Sequence, residues 1–587
     1  MRSNSYKYII SLAMGYNKTN LPTSYSIYTS TSKQRLLIST LIFISFPLIL
    51  LCSIFPHTQL LNIIRLQSPH FPTSFHPSNK AKPPKWLEAI RDAHLTHQRP
   101  LKVGLVNFKD IEQSRLPVGG IAQYINIDLE PVSHNVTWKK LFPEWINENP
   151  SDKCPTIPMP NQRKYIGLDV VVAKLPCGER SYDNGSREKE GIRDVYRLQI
   201  SLAIARLIVE NSIGTNKDVY GVFIAKCEPM LEIFKCDDLV WHGGSYWVYK
   251  PHVQKLREIT SMPLGTCELA HPYTRASGTK QLQENQMTLP NTQQTRSPRP
   301  NIIRREAYVT VLHSSETYVC GAIALAQSTL LTNTTKDLIL LADHTISDHS
   351  IKGLQSAGWK TKRIRRIRSP KANPNAYNKW NYSKLRVWQL TEYDKVMFID
   401  SDFIVLQNID HFFDYPQFSA GPNDKWLFNS GIMVLEPSEC FFRTLMSKRH
   451  TLKSYNGGDQ GYLNEVLTWW HRLTRKLTFM KFYVHEGGNR SVPIDRYTIH
   501  YLGFKPWLCY RDYDCNWDRF DHHRFASDDV HARWWRVYDA LPKELQKYCR
   551  LTKQLKNVLH RRRVEAQKVD LNHGHWKIEI KDPRQKI

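Results

Sequence analysis

The sequence predicts an α/β protein in which two strand-and-helix regions follow a single membrane-spanning helix, and three observations carry that prediction. A charge-free apolar run covers 36–55, short β-branched runs alternate with helical spacing over 101–270, and the same alternation returns over 304–520. Such alternation favours a mostly parallel sheet with helices on both faces. At 587 residues the chain exceeds what one hydrophobic core fills, so more than one is expected. Hydrophobic and charged shares of 41% and 23% exclude wholesale disorder and a polytopic membrane protein.

The elements follow in chain order. Residues 1–35 form a basic lead carrying Arg2, Lys7, Lys18, Lys33 and Arg35, whereas only Arg65 closely follows the apolar run. Residues 36–55, LLISTLIFISFPLILLCSIF, give about 20 positions at about 1.5 Å each, which matches a hydrocarbon layer of about 30 Å. The lead and the run are too long for a cleaved signal peptide and no small-x-small site follows, so a transmembrane signal anchor is expected. The charge bias places the N-terminus in the cytosol and the rest in the lumen, a single-pass type II topology. Sequons at Asn135, Asn184, Asn333, Asn381 and Asn489 agree with it.

Residues 56–100, rich in Pro, Ser, His and Lys, read as a stem. KVGLVNF (102–108), GLDVVVAKL (167–175) and DVYGVFIAK (218–226) read as strands, with helical spacing over 193–211, and this 101–270 region carries no catalytic motif. The polar stretch 271–303 reads as a linker. Beyond it EAYVTVLHSS, DLILLADHTIS, KVMFIDSDFIVLQNI and LFNSGIMVLEPS read as strands, and CGAIALAQSTLL and YNGGDQGYLNEVLTWW as helices. The basic, amphipathic 521–587 region reads as a solvated helical tail. Eleven scattered cysteines argue against zinc and allow disulfides of undetermined pairing. A net charge of +27 without a nucleic-acid-binding motif points to no nucleic acid partner; anionic sugars or acidic lipid headgroups suit it equally.

Two segments carry chemistry. In KVMFIDSDFIVLQNID (395–410) an apolar strand delivers Asp400 and Asp402 at i and i+2, on one side of the strand, where two carboxylates can share one hard divalent cation. A turn bearing solvated aspartates is the competing reading. In TIHYLGFKPW (498–507) His500 can join a metal shell, Gly503 lets backbone approach a phosphate, and Lys505 can neutralise it. A structural histidine and a surface lysine compete with that.

Together and in order, FIDSDFIVLQNID, FNSGIMVLEPS, YNGGDQGYLNEV and IHYLGFKPW resemble glycosyltransferase family 8, whose members look like glycogenin, over about 304–517. NGGDQGYLNEVLTWWHRL, YLGFKPWLCYRDYDCNWD and the upstream VVVAKLPCGE are most similar to the plant glucuronosyltransferases that decorate xylan, also called plant glycogenin-like starch-initiation proteins. The resemblance implies a GT-A type nucleotide-sugar transferase domain, Mn2+ or another divalent cation, and a UDP-sugar donor. It implies retaining transfer of α-glucuronosyl from UDP-glucuronate to the xylan backbone in secondary cell wall biosynthesis, at the Golgi membrane and in company with other Golgi transferases. It makes Asp400, Asp402 and His500 the metal ligands, puts Ser401 in the substrate site, and has Gly503 and Lys505 hold the diphosphate. Leu312, His313, Ser315 and Tyr318 match the nucleotide site, Lys384 lies near the donor sugar, and Asn429, Ser430 and Gly431 line its pocket. Asp459 and Gln460 fall beside the anomeric carbon, where they would stabilise an oxocarbenium-like transition state or trap the sugar; a helix N-cap is the competing role for Asp459. Galactose, galacturonate or glucose donors, and a non-catalytic glycan-binding scaffold, remain alternatives. SAGPND (419–424) departs from the family pattern at its proline. For a glucuronate carboxylate Arg386 is the candidate cation, with the basic run KTKRIRRIRSPK (360–371) as a further source or merely a charged sheet edge.

Overall fold

The computed structural model describes residues 85–93, 99–109, 122–177, 193–213, 217–273, 304–424, 426–484 and 490–585. The basic lead, the 36–55 run, most of the stem, most of the 271–303 stretch and the sequons at Asn184 and Asn489 lie outside these residues. Among the described residues no helix is long and apolar enough to cross a membrane.

The upstream region contains α1 (Lys85–Ala93), β1 (Leu101–Val106), β2 (Ala122–Ile127), β3 (Val170–Lys174), α2 (Val195–Ser212), β4 (Tyr220–Ile224), β5 (Leu239–Gly243), β6 (Tyr246–Tyr249) and α3 (Val253–Thr260). Its sheet runs β2-β1-β3-β4-β6-β5, parallel through β4 and antiparallel after it. The switch in direction follows from the connections: β5 and β6 are joined by Gly244 and Ser245, and so short a link allows only a hairpin. Asp194 starts α2 by accepting from the Tyr196 N–H.

The downstream region contains β7 (Glu306–Leu312), α4 (Val319–Leu330), β8 (Asp337–Ala342), α5 (Asp348–Ser356), β9 (Lys360–Arg363), a 3-10 helix (Tyr377–Gln389), β10 (Lys395–Ile399), β11 (Phe403–Val405), β12 (Ser419–Asp424), β13 (Leu427–Leu435), α6 (Glu439–Lys448), α7 (Asp459–Val466), β14 (His471–Arg472), β15 (Thr478–Met480), β16 (Thr498–His500), α8 (Asp528–Ala540) and α9 (Lys553–Lys568). The large sheet runs β14-β12-β13-β10-β7-β8-β9. It is mixed rather than mostly parallel, because β13 runs antiparallel to both its neighbours. Only two residues join β12 to β13, too few for a parallel crossover. The expected continuous strand through 395–409 also breaks: β10 ends at Ile399, and β11 joins a small sheet, β11-β16-β15.

The upstream region has its own sheet and a small apolar cluster of its own around Trp86, Val103, Val172 and Val222, but its larger cluster is shared with the downstream region. One apolar cluster joins Leu198, Ile204 and Phe234 to Val309, Trp388 and Trp469. Cys236–Cys440 bonds the two regions covalently. Glu436 receives Lys235 at 2.6 Å and Lys255 at 2.9 Å, and Lys395 meets Glu258 at 3.0 Å with both side chains buried. Cys154–Cys267, Cys177–Cys227, Cys320–Cys549 and Cys509–Cys515 complete the disulfides among the described residues.

The 521–587 region is not a solvated tail. Cys549 is bonded to Cys320 of α4, and buried Arg584 donates to the carbonyls of Trp507 and Cys509. Within α9 itself only Leu559 and Ala566 are buried, so its sequence reads as polar although its flanks are anchored.

Candidate active site

At the end of β10 the chain turns sharply, Phe403 N–H donating to Asp400 O at 3.2 Å, and this turn sets Asp400 and Asp402 side by side. The expected alternation along a strand is therefore corrected to a turn, in which Asp402 is buried at 8% exposure and the Asp400 side chain remains partly exposed. Ser401, also buried, sits at the apex against Gly321, where any Cβ would come within 2.5 Å of Ser401 O. The small sheet delivers the imidazole. β11 pairs antiparallel with β16 so that Phe403 faces His500, their rings stack at 4.2 Å, and Tyr501 N–H donates to Asp402 O at 3.0 Å. One ligand atom from each of Asp400, Asp402 and His500 then lies within 4.8 Å of the others.

The chemistry of that donor set suits a hard or borderline divalent cation, two carboxylates and an imidazole. Asp402 Oδ1 is buried without a hydrogen-bond partner, 3.4 Å from His500 Nε2, a costly arrangement that an ion beside them would relieve. Lys505 Nζ lies 2.7 Å from Asp402 Oδ2 and 2.5 Å from Tyr501 O. Burial alone would raise Asp402, but Lys505 and then His500 hold its carboxyl well below the usual range. Asp400 goes the other way: burial, with Asp402 beside it, pushes it up to about 6 against the pull of Lys384. Three buried or half-buried carboxylates, Asp400, Asp402 and Asp459, thus face two ammonium groups, Lys384 and Lys505, leaving room for positive charge. The only other cluster of this kind among the described residues, Cys509, Asp514 and His531, is unsuited, since Cys509 is in a disulfide and Asp514 pairs with Lys481.

Gly503 is required by its backbone: φ is +76°, and a Cβ there would meet Asn516 Oδ1 at 2.5 Å. The same amide oxygen accepts from Phe504 N–H at 2.8 Å, clamping the loop that presents Lys505.

The 3-10 helix carries Asn378, Asn381 and Lys384, three residues apart and so on one face. Lys384 Nζ reaches Asp459 Oδ2 at 2.5 Å, Asp400 Oδ1 at 3.3 Å and Ser430 O at 3.0 Å. Asn381 Nδ2 donates to Asp459 Oδ1 at 3.3 Å, and Asn378 Nδ2 to Asn456 O at 2.7 Å. Asp459 is the first residue of α7 and Gly458 the N-cap, so its carboxylate faces the site rather than capping the helix. Burial opposes its charge, but Lys384, with Ser430 and Asn381, keeps it below the usual range. Ser430 Oγ donates to Asp459 Oδ2 at 2.9 Å and Ser430 N–H to Gln460 Oε1 at 3.3 Å. Gly431 N–H donates to Asn429 Oδ1 at 2.7 Å, and a Cβ on Gly431 would come within 3.2 Å of Asp400 Oδ2. Pro422, the departure in SAGPND, sits in β12 between two register shifts against β13. The loop it put in doubt is an irregular strand.

At the end of β7 Leu312 is buried, and Ser315 caps the turn Glu316–Tyr318 through the Thr317 N–H. Tyr318 meets Trp507 edge to face at 5.7 Å, and Trp507 Nε1 donates to Thr317 O at 2.8 Å, tying this strand end to the Lys505 loop. Burial lowers His313 to about 4, which keeps it neutral. Asp343, invisible to motif reasoning, props the strand end by accepting from Ser314 N–H at 3.3 Å, and it faces Arg366 at 3.7 Å.

Asp400, Asp402, His500, Lys384, Lys505, Ser430, Asp459 and Gln460 therefore meet in one cluster, whereas Arg386 turns away, its guanidinium donating to Arg365 O and Gln389 and lying over Phe442. Arg366, from the basic run, instead lies over Trp380 at 4.0 Å, one residue before Asn381. Asn381 in the site overturns the reading of its sequon as a glycan acceptor; Asn135 and Asn333 remain exposed. The three-residue spacing of Asn378, Asn381 and Lys384 was the signal that could have revealed the first two.

Comparison with known sequences follows this geometry. The profile of glycosyl transferase family 8 matches residues 309–421, and that of the GUX1-5 N-terminal domain matches 77–267. UDP-glucuronate:xylan alpha-glucuronosyltransferase 2 of Arabidopsis thaliana is 45% identical over 86% of this chain and 84% of its own length. UDP-glucuronate:xylan alpha-glucuronosyltransferase 1 from the same plant is 41% identical over 83% and 72%. Glycogenin-1 of Homo sapiens is 28% identical over 40% of this chain and 71% of its own length.

Proposed function

Because the chain belongs to the xylan α-glucuronosyltransferases of glycosyltransferase family 8, we propose that it transfers α-glucuronosyl from UDP-glucuronate to xylan with retention, using a divalent cation, Mn2+ by preference. The observation that carries the catalytic reading is the meeting of Asp400, Asp402 and His500 within 4.8 Å, with Lys505 and Lys384 on either side. Asp400, Asp402 and His500 would hold the cation, which when bound supplies positive charge to the diphosphate leaving group. Lys505 adds a second positive charge to that group, and Gly503 lets backbone approach it. The bond from the anomeric carbon to the diphosphate oxygen breaks with its electron pair leaving on UDP. A bond to an acceptor hydroxyl forms, and the hydroxyl proton is released as UDP departs. Asp459, kept ionised by Lys384, supports the positive charge that develops at that carbon, and Asn429, Ser430 and Gly431 close the pocket behind it. For the donor's carboxylate, Arg366 at the rim is the suitable cation, since its ion pair with Asp343 is long and its guanidinium lies over a flat indole.

The 36–55 apolar run and the lysine and arginine excess before it support a single-pass type II anchor in the Golgi membrane, with the catalytic head lumenal. The test is transfer by the full-length chain in detergent from a panel of UDP-sugars to xylo-oligosaccharides, with the product linkage read by NMR. Product from UDP-glucuronate with an α-linkage is expected. Transfer from another UDP-sugar and none from UDP-glucuronate would contradict the donor assignment.

A further inference from the structure

Two exposed tyrosines beside the Asp459 cluster have no task in holding the donor. Tyr377 and Tyr455 each keep 41% of their surface in solvent, although both belong to rigid backbone. Tyr377 opens the 3-10 helix, and the residue after it, Asn378, donates to the carbonyl of Asn456, the residue after Tyr455. The two tyrosines therefore each precede one partner of a single tie. The segment bearing Tyr455 is locked from within: Asn456 Oδ1 accepts from Gly458 N–H at 2.9 Å and Gly461 N–H at 3.2 Å, and Ser454 Oγ donates to Gly458 O at 2.8 Å. Ser369 Oγ donates to Gly457 O at 2.6 Å from the other side. The hydroxyl of Tyr455 accepts from Gln460 Nε2 at 2.7 Å, so one end of its ring is fixed to the residue after Asp459 while the side chain stays partly exposed. Tyr377 lies four residues before Asn381, whose amide donates to Asp459, and its phenol is pushed up by burial and then by the charge of that carboxylate.

We propose that Tyr377 and Tyr455 form the acceptor subsite, two aromatic platforms on which successive rings of a neutral, β-linked pentose chain lie so that one hydroxyl is presented to the sugar carbon facing Asp459. The inference rests on the transfer reading above. The chemistry favours this occupant. A xylose ring is uncharged and carries no exocyclic carbon, so its flat C–H face can lie against a tyrosine ring while its hydroxyls reach outward. A charged acceptor would call for ion pairs, and the pocket's own lysines are already engaged with Asp400, Asp402 and Asp459. The rival occupant is the uracil of the donor, because Tyr318 lies close enough to Tyr377 to influence its phenol.

The test is steady-state kinetics of full-length wild type, Tyr377→Ala, Tyr455→Ala and Tyr455→Phe with UDP-glucuronate and xylohexaose, varying each substrate in turn and checking each variant's Tm. The subsite predicts that each alanine variant raises the acceptor KM about ten-fold while the donor KM stays within about two-fold. Tyr455→Phe, which keeps the ring and loses only the Gln460 hydrogen bond, should restore most of the acceptor affinity. An unchanged acceptor KM, or an equal rise in donor KM, overturns the subsite, and the second result assigns the rings to uracil. If an alanine variant fails to fold, Tyr377→Leu and Tyr455→Leu supply the same comparison. Wild type that transfers glucuronate to no xylo-oligosaccharide overturns the functional reading itself, whereas wild-type transfer with unaffected variants overturns the subsite alone.

Discussion

Asp402 pairs through Oδ2 with Lys505, while its buried Oδ1 makes no hydrogen bond and lies 3.4 Å from His500 Nε2. Replacing it with asparagine keeps the size but removes the charge that both an ion and Lys505 use. Asp402→Asn should lower kcat/KM by roughly 10²-fold or more, the loss usual when a fixed transition-state charge is removed, with Tm little changed; transfer within a few-fold of wild type would remove Asp402 from the metal site. Arg366 makes a separate claim about selectivity. Arg366→Ala should reduce the preference for UDP-glucuronate over UDP-glucose by roughly ten-fold or more, since a desolvated ion pair to a carboxylate is worth at least that. Equal losses on both donors would return Arg366 to supporting Asp343. At this scale the sequence was most legible where a motif ties residue type to chemistry, as for Asp400, Asp402, His500 and Lys505. It was least legible where a residue acts through a neighbour. Asn381 carried a sequon that pointed outward, and only the turn of the 3-10 helix shows that it points in.

Individual elements matter chiefly by what they bring together. β11 and β16 are three residues each, yet their pairing joins Asp402 to His500. Strand alternation predicted the right neighbours for Asp400 and Asp402 by the wrong geometry, because a turn and a strand both put i and i+2 close together. Helix α7 is held from outside the downstream region: Arg193 donates to Asn464 O, and Glu232 accepts from Thr468 N–H and Trp469 N–H just past its end. The start of α6 is pinned by Cys236–Cys440 and by Glu436. Burial works to raise the Glu436 carboxyl, but Lys235, Lys255 and Lys395 hold it well below the usual range. With the folded value depressed, its stabilisation is complete above the unfolded value of about 4.3 and is lost as pH falls through the folded value. Glu436→Gln should therefore melt below wild type near neutral pH, and the gap should close in acid; differential scanning fluorimetry across that range would show it. A gap that persists in acid would mean that Glu436 acts through packing rather than charge.

For the whole molecule, the surprise is how little separates the two regions that composition divides. Sequence periodicity marks strands and helices but not which faces meet, so a sheet with its own strands looked like a unit of its own. That region does have a small cluster of its own, but the cluster around Phe234, Val309 and Trp469 is shared with the downstream region. Residues 304–585 expressed without the upstream region should therefore be insoluble or molten, and a soluble, cooperatively melting fragment would contradict the shared core. The same limit hid the role of the C-terminal stretch, because Trp534, Cys549 and Arg584 anchor it on either side of a helix, α9, that reads as polar. The most direct measurement of the central claim is calorimetric titration of UDP into the full-length protein, with Mn2+ and with EDTA, for wild type and His500→Ala. UDP should bind wild type with Mn2+ at least about ten-fold more tightly than in EDTA, and His500→Ala should lose most of that difference. Equal binding by wild type under both conditions would contradict a cation gripped by Asp400, Asp402 and His500.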